Sequence, residues 1–197
     1  MKLLIENWRK YLKESRGPFT ASYQLFIPRK CPDEVCDIAR LENTPPVENR
    51  PGRGKPYGGL WTSTAKSQGN EWTSAWNEWM MTETPHWMHS QGIILKSKTA
   101  NIFHIENDED ARMLAEEFPL EDSSTKRRRG GYSINFETAL QKYDGIHYGL
   151  RDGEDSDAWD FGESGKWDTE STIFRDASVV DIIEIVSVVQ SGGEEWY

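Results

Sequence analysis

Cysteine is nearly absent: Cys31 and Cys36 are the only two among 197 residues. One pair makes no disulfide framework, and C-x4-C without a second pair completes no zinc site. Reduced thiols of a cytoplasmic protein are the expectation. Long apolar runs are missing as well. No stretch approaches the roughly 18 apolar residues of a membrane-crossing helix, so no membrane partner is expected. The opening MKLLIENWRKYLKES carries charge throughout and has no apolar core, unlike a secretory signal. Positive charge is in deficit, with 23 Lys and Arg against 33 Asp and Glu and a net charge of −10. A phosphate backbone repels such a chain, which argues against non-specific DNA binding. Aromatic residues, by contrast, are plentiful at 12%, nine of them Trp. Disordered chains are poor in these, so the body is expected to fold, and the length suits one domain.

Periodicity divides the chain. Leu4, Trp8, Tyr11 and Leu12 fall on one helical stripe, predicting an amphipathic helix over residues 1–16 that ends at Gly17-Pro18. Residues 17–197 read as a single domain. Strands are predicted over 19–29, 58–64, 92–96, 101–106 and 145–150, and again within 167–189, where VVDIIEIVSVV is almost wholly β-branched. Trp72, Trp76, Trp79 and Met80 recur at helical spacing and predict a helix starting near Ser67 or Asn70. That stripe is assigned to core packing, because large aromatics dominate core burial. Asn107 is placed as the cap of a helix over 108–118, and Asn135 as the cap of another carrying Phe136, Ala139, Leu140 and Tyr143. Residues 41–57, 119–131 and 151–166 are polar or Pro/Gly-rich and are expected to be mobile loops. Helices and strands mix without regular βαβ alternation, so the expected class is α+β.

The segment with most chemical content is Lys55-Pro56-Tyr57-Gly58-Gly59-Leu60-Trp61-Thr62-Ser63-Thr64. Its glycines permit a turn or a close backbone approach to a ligand. On the strand that follows, Trp61 and Ser63 share one face and Leu60, Thr62 and Thr64 the other. An aromatic ring and hydroxyls beside a helix start suit a flat ring and a phosphate or ribose.

This GGLWTS string, followed by a tryptophan-bearing helix, resembles the second conserved strand of ADP-ribosyltransferase-like domains. A first strand from Tyr23 to Arg29 precedes it. Tyr143-Asp144-Gly145-Ile146 then leads to Trp167-Asp168-Thr169-Glu170-Ser171, which looks like the carboxylate-bearing third motif of that superfamily. The same strings look like a group of bacterial and phage proteins sharing K-P-x-G-G-L-W-x-S. The first motif departs from the pattern: YQLFIPRK offers Arg29 or Lys30 without a clean Arg or His match. The D-x-E of Asp168 to Glu170 stands where some members have E-x-E or Q-x-E.

The resemblance implies an ADP-ribosyltransferase-like split β-sandwich with peripheral helices. It implies an NAD-dependent mono-ADP-ribosyltransferase, a phage or bacterial effector acting in the host cytoplasm on a host protein or nucleic acid. Cleavage of the nicotinamide–ribose bond builds positive charge on the ribose, and a fixed carboxylate stabilises it. Glu170, then Asp168, would be that carboxylate. Trp61 would stack on nicotinamide, and Ser63 and Thr62 would line the pocket with Gly59. Lys55 would meet a phosphate, and Tyr23 and Arg29 would contribute from the first strand. The alternative is a non-catalytic virion-internal or defence-inhibiting binding protein on the same scaffold. A weaker third reading is an RNA 2′-phosphotransferase, for which the chain shows no convincing basic set.

Other features have plainer readings. Lys126, Arg127, Arg128 and Arg129 form a basic run that is either a solvated loop or a contact for nucleic acid or an acidic partner. His86 and His89 have a metal-compatible spacing, but Pro85 and the lack of a matched carboxylate argue against a site, and no metal is expected. His147 reads as a strand cap, and His104 carries no role. Leu4-Ile5-Glu6 and Leu12-Lys13-Glu14 resemble cleavage signals of tailed-phage prohead proteases, so the first helix is either a packing segment or a capsid-targeting one.

Overall fold

A computed structural model describes residues 23–28, 39–49, 55–85, 88–120, 134–149 and 169–190. The expectations for the N-terminal helix, both cysteines, Arg29, His86, the basic run 126–129, the 151–166 loop, Trp167 and Asp168 lie outside these residues. In chain order the strands are β1 (Gln24–Phe26), β2 (Leu60–Thr64), β3 (Lys66–Gln68), β4 (Glu71–Thr73), β5 (Gln91–Ser97), β6 (Ile102–Ile105), β7 (Gly145–Tyr148), β8 (Ser171–Phe174) and β9 (Val180–Ser187). The helices are α1 (Ala39–Glu42), α2 (Ala75–Glu83), α3 (Asp108–Glu117) and α4 (Phe136–Lys142). Seven strands form a mixed sheet in the order β6-β7-β8-β2-β1-β5-β9, with β3 and β4 as a separate ribbon. Only β6 and β7 run parallel within that sheet. The class is α+β, as expected.

Strand alternation sorts the core onto two faces. On one, Ile105, Ile146, Tyr148 and Ile173 pack against Ala111 and Leu114 of α3 and Phe136, Ala139 and Leu140 of α4. Both helices start as their sequences predict: Asn107 accepts the Asp110 N–H and Asn135 accepts the Thr138 N–H. On the other face lie Leu60, Ile93, Leu95, Ile102 and Phe174, with Leu41, Val179 and Val180.

The glycines before β2 serve the chain itself. Gly58 and Gly59 have φ of 72° and 69°. A Cβ on Gly58 would stand 1.9 Å from the Pro46 oxygen, and one on Gly59 would stand 2.9 Å from Val47 and Ile173 side-chain carbons. The Gly59 N–H donates to the Pro45 oxygen at 2.8 Å. The close approach is thus made by residues 45–47, which lie within the segment expected to be a loop.

The tryptophan stripe needs correction. Lys66–Gln68 and Glu71–Thr73 pair as a hairpin around Gly69, whose φ is 65°. Trp72 is therefore on a strand. The helix starts later, at Ser74, whose side chain accepts the Asn77 N–H at 3.2 Å. The face it buries carries Asn77 and Met80. Trp76 and Trp79 are half-buried and stack on each other, with centroids 4.9 Å apart. The spacing from 72 to 80 is helical by coincidence, since glycine at 69 and a capping hydroxyl at 74 divide it.

Candidate functional site

The face carrying Leu60 and Phe174 is apolar at one end and polar at the other. Thr62 pairs with Thr172, Thr172 with His147, and His147 with His104. Gln24 joins from β1, with its Oε1 accepting the Thr62 hydroxyl at 2.9 Å. Register thus lays a polar band across five strands, all at the same end, while Leu60, Phe174 and Ile102 hold the apolar end. Gln24, Thr62 and Thr172 in this band are buried.

Glu170 stands at that end, one residue before β8. Its carboxylate accepts the Ser63 hydroxyl on Oε2 at 2.5 Å and the Thr64 hydroxyl on Oε1 at 3.0 Å. The Thr64 N–H also donates to it, 3.0 Å from Oε2 and 3.2 Å from Oε1. Ser63 and Thr64 lie on opposite faces of β2, so the carboxylate is gripped from both. The Trp76 N–H, in the first turn of α2, points at the Ser63 oxygen across 3.4 Å. The positive end of the helix therefore reaches Glu170 through one hydroxyl.

His147 Nδ1 lies 2.8 Å from the Thr172 hydroxyl and 3.5 Å from Glu170 Oε1. Burial lowers the pKa of its imidazole from the ordinary 6.5 to about 4. The ring is accordingly neutral at pH 7 and its contact with Glu170 is not an ion pair. The His104 ring sits 5.2 Å away, tilted by 56°. Among the described residues no permanently charged cation pairs with Glu170, and its side chain is only 15% exposed.

The predicted residues separate into those gathered here and those elsewhere. Ser63 and Glu170 are in direct contact. Thr62 belongs to the same band through Gln24. Trp61 is half-buried against the α3/α4 side of the sheet, its indole N–H donating to the Gly58 oxygen at 2.9 Å. Gly59 lies at the opposite end of β2, under Val47. Lys55 and Tyr23 are not among the donors to Glu170, and the Tyr23 side chain is exposed. Thr172 and Gln24 carry no role in the sequence reading, Thr64 enters it only as part of the GGLWTST segment, and the strand-cap reading of His147 is corrected: the residue lies inside β7 and its ring meets the Thr172 hydroxyl. The signal shared by Gln24, His147 and Thr172 is a polar residue two positions along a strand from an apolar or glycine one. It becomes a band only when strand register is known.

The arrangement favours some chemistry over other kinds. In a serine nucleophile the hydroxyl is hydrogen-bonded to the base that takes its proton. Here the Ser63 hydroxyl is bound to a carboxylate, and His147 contacts that carboxylate and Thr172. A Ser–His–acid relay is thus not assembled. No group of three or more potential metal ligands occurs among the described residues. Comparison with family models, curated proteins and solved structures returns no match.

Proposed function

We propose that the chain is an NAD-dependent mono-ADP-ribosyltransferase with Glu170 as its catalytic carboxylate, on an ADP-ribosyltransferase-like fold. The observation that carries the reading is a largely buried carboxylate, oriented by three donor groups of β2 and lacking a cationic partner among the described residues. A negative charge kept in that state suits a positive charge that develops only during reaction. NAD would supply the ribose carbon on which this charge appears. Ser63 and Thr64 hold the carboxylate in place, so little reorganisation is needed when the charge forms. Trp61, on the same face of β2 as Ser63, would stack on the nicotinamide, as the motif resemblance implies. The basic run 126–129 would help select a macromolecular acceptor.

The test is incubation of the protein with labelled NAD and host lysate. Wild type is expected to consume or transfer the label, and Glu170→Gln to lower the rate by about 100-fold or more, as loss of a fixed electrostatic group does. Asp168→Ala is expected to cost less. If wild type neither consumes nor transfers NAD across lysates, the enzyme reading is wrong.

One observation favours a binding protein instead: Glu170 already accepts several hydrogen bonds from its own chain, as a structural carboxylate does. Thermal unfolding with NAD or nicotinamide separates the two. A ligand at 100 times its Kd stabilises by about 2.7 kcal/mol. No shift would favour the binder.

A further inference from the structure

We propose that His147 is a positioning residue for Glu170, its Nδ1–H held between Glu170 Oε1 and the Thr172 hydroxyl so that the carboxylate stays turned toward β2. The kinetic consequence rests on the reading of Glu170 as the catalytic carboxylate; the positioning itself rests on geometry.

Three elements meet at this ring. β7 carries His147 directly opposite Thr172 of β8, and His104 of β6 stands on its other side. Glu170 approaches from the residue before β8. The same imidazole nitrogen faces two oxygens, at 2.8 Å in Thr172 and 3.5 Å in Glu170. Only one of those oxygens can supply a proton, because a carboxylate is acceptor-only. A lone pair on Nδ1 would stand against the negative Oε1 in a buried setting, where repulsion is weakly screened. A proton on Nδ1 removes that conflict and attracts Oε1, while the Thr172 hydroxyl accepts. The tautomer is therefore Nδ1–H. Ser63 and Thr64 draw the carboxylate toward β2, and His147 limits its rotation on the β7 side.

The role is to hold an orientation, and it has a chemical signature. Asn at 147 places an N–H donor near the position of Nδ1, whereas Gln places one near Nε2 and Leu has none. The first measurement needs no variant: nitrogen NMR of wild-type protein reads the tautomer, expected as Nδ1–H. The second is the carboxyl-carbon NMR shift of Glu170 at pH 7 in wild type, His147→Asn, His147→Gln and His147→Leu. Asn is expected to keep the wild-type shift, and Leu and Gln to move it. If the enzyme reading holds, kcat for NAD falls by about 100-fold in Leu and Gln with little change in KM, as misplacement of a reacting group does, and Asn restores it. A proton on Nε2, or the same Glu170 carboxyl-carbon shift in Asn, Gln and Leu, overturns the proposal. Wild-type inactivity toward NAD would instead overturn the enzyme reading, while the tautomer and the carboxyl-carbon shift would still decide the role of His147.

Discussion

Glu170 owes its state to a few atoms. Ser63 and Thr64 provide hydroxyl and amide donors that replace the water a buried carboxylate gives up. Hydrogen bonds to charged groups contribute about 1.5–3 kcal/mol each. A double-mutant cycle between Ser63→Ala and Glu170→Gln should therefore return a coupling of about that size by chemical denaturation. A coupling near zero would mean the contact contributes little. His147 makes a prediction in pH. Its folded-state value of about 4 lies below the ordinary 6.5, because burial opposes the charged ring. The unfolded chain thus binds this proton first. Stability from the neutral ring is complete above about pH 6.5 and is lost as pH falls toward 4, by up to about 3 kcal/mol. Among the described residues the groups facing the ring include Glu170, Thr172 and His104. Urea denaturation across that window should show a slope that His147→Asn flattens.

At the scale of elements, β9 is an edge strand among the described residues, with its inner side paired to β5 and its Ile182, Ile183 and Ile185 exposed. Such an edge invites pairing with other chains. Asp181 precedes the isoleucines and Glu184 interrupts them, and the register with β5 shifts between Ile94 and Leu95, leaving Ile183 as the extra residue of a bulge. Charge and a bulge both blunt an edge. The double substitution Asp181→Val with Glu184→Val should raise aggregation, seen by light scattering at constant stability. Unchanged scattering would show that the bulge alone suffices. Helix starts are equally local: Ser74→Ala should cost about 1 kcal/mol by removing the cap of α2, measured by thermal unfolding.

Across the whole molecule, distant segments meet at one side chain. The Asn49 N–H donates to Glu137 at 2.6 Å, its amide donates to Asn135 at 2.7 Å, and its oxygen accepts the Phe136 N–H at 2.9 Å. Residues 45–49 are thereby tied to the start of α4, and through Gly59 to the start of β2. Asn49→Ala should cost about 1–3 kcal/mol, because it removes the acceptor of the Phe136 N–H and the amide that donates to Asn135. Denaturation midpoints check it, and a change below a few tenths would show that water replaces the amide.

Much was legible before any coordinates. The caps at Asn107 and Asn135, the apolar stripes behind them, the alternation of Leu60 to Thr64 and the β-branched run at 180–187 each follow from a period or a side chain a few residues away. Local chemistry also placed Ser63 on a strand, and the motif resemblance marked Glu170. The hairpin at 66–73 escaped because a helical spacing spanned it. Gly69 supplied the turn and Ser74 the later helix start, and either signal alone was ambiguous. The tertiary structure decided what needed register. It joined Ser63 and Thr64 to Glu170 across 106 or 107 positions, and His147 to Thr172 across 25. It also turned the glycines of the GGLWTS string toward the chain's own residues 45–47. A two-residue period tells which face a side chain takes. Which strand lies beside it depends on loop closure and on burial summed over the whole sheet, quantities no short window contains. The scarcity of cysteine and of basic residues bounded the classes of function. The placement of one carboxylate between β2 and β7 defined the candidate site.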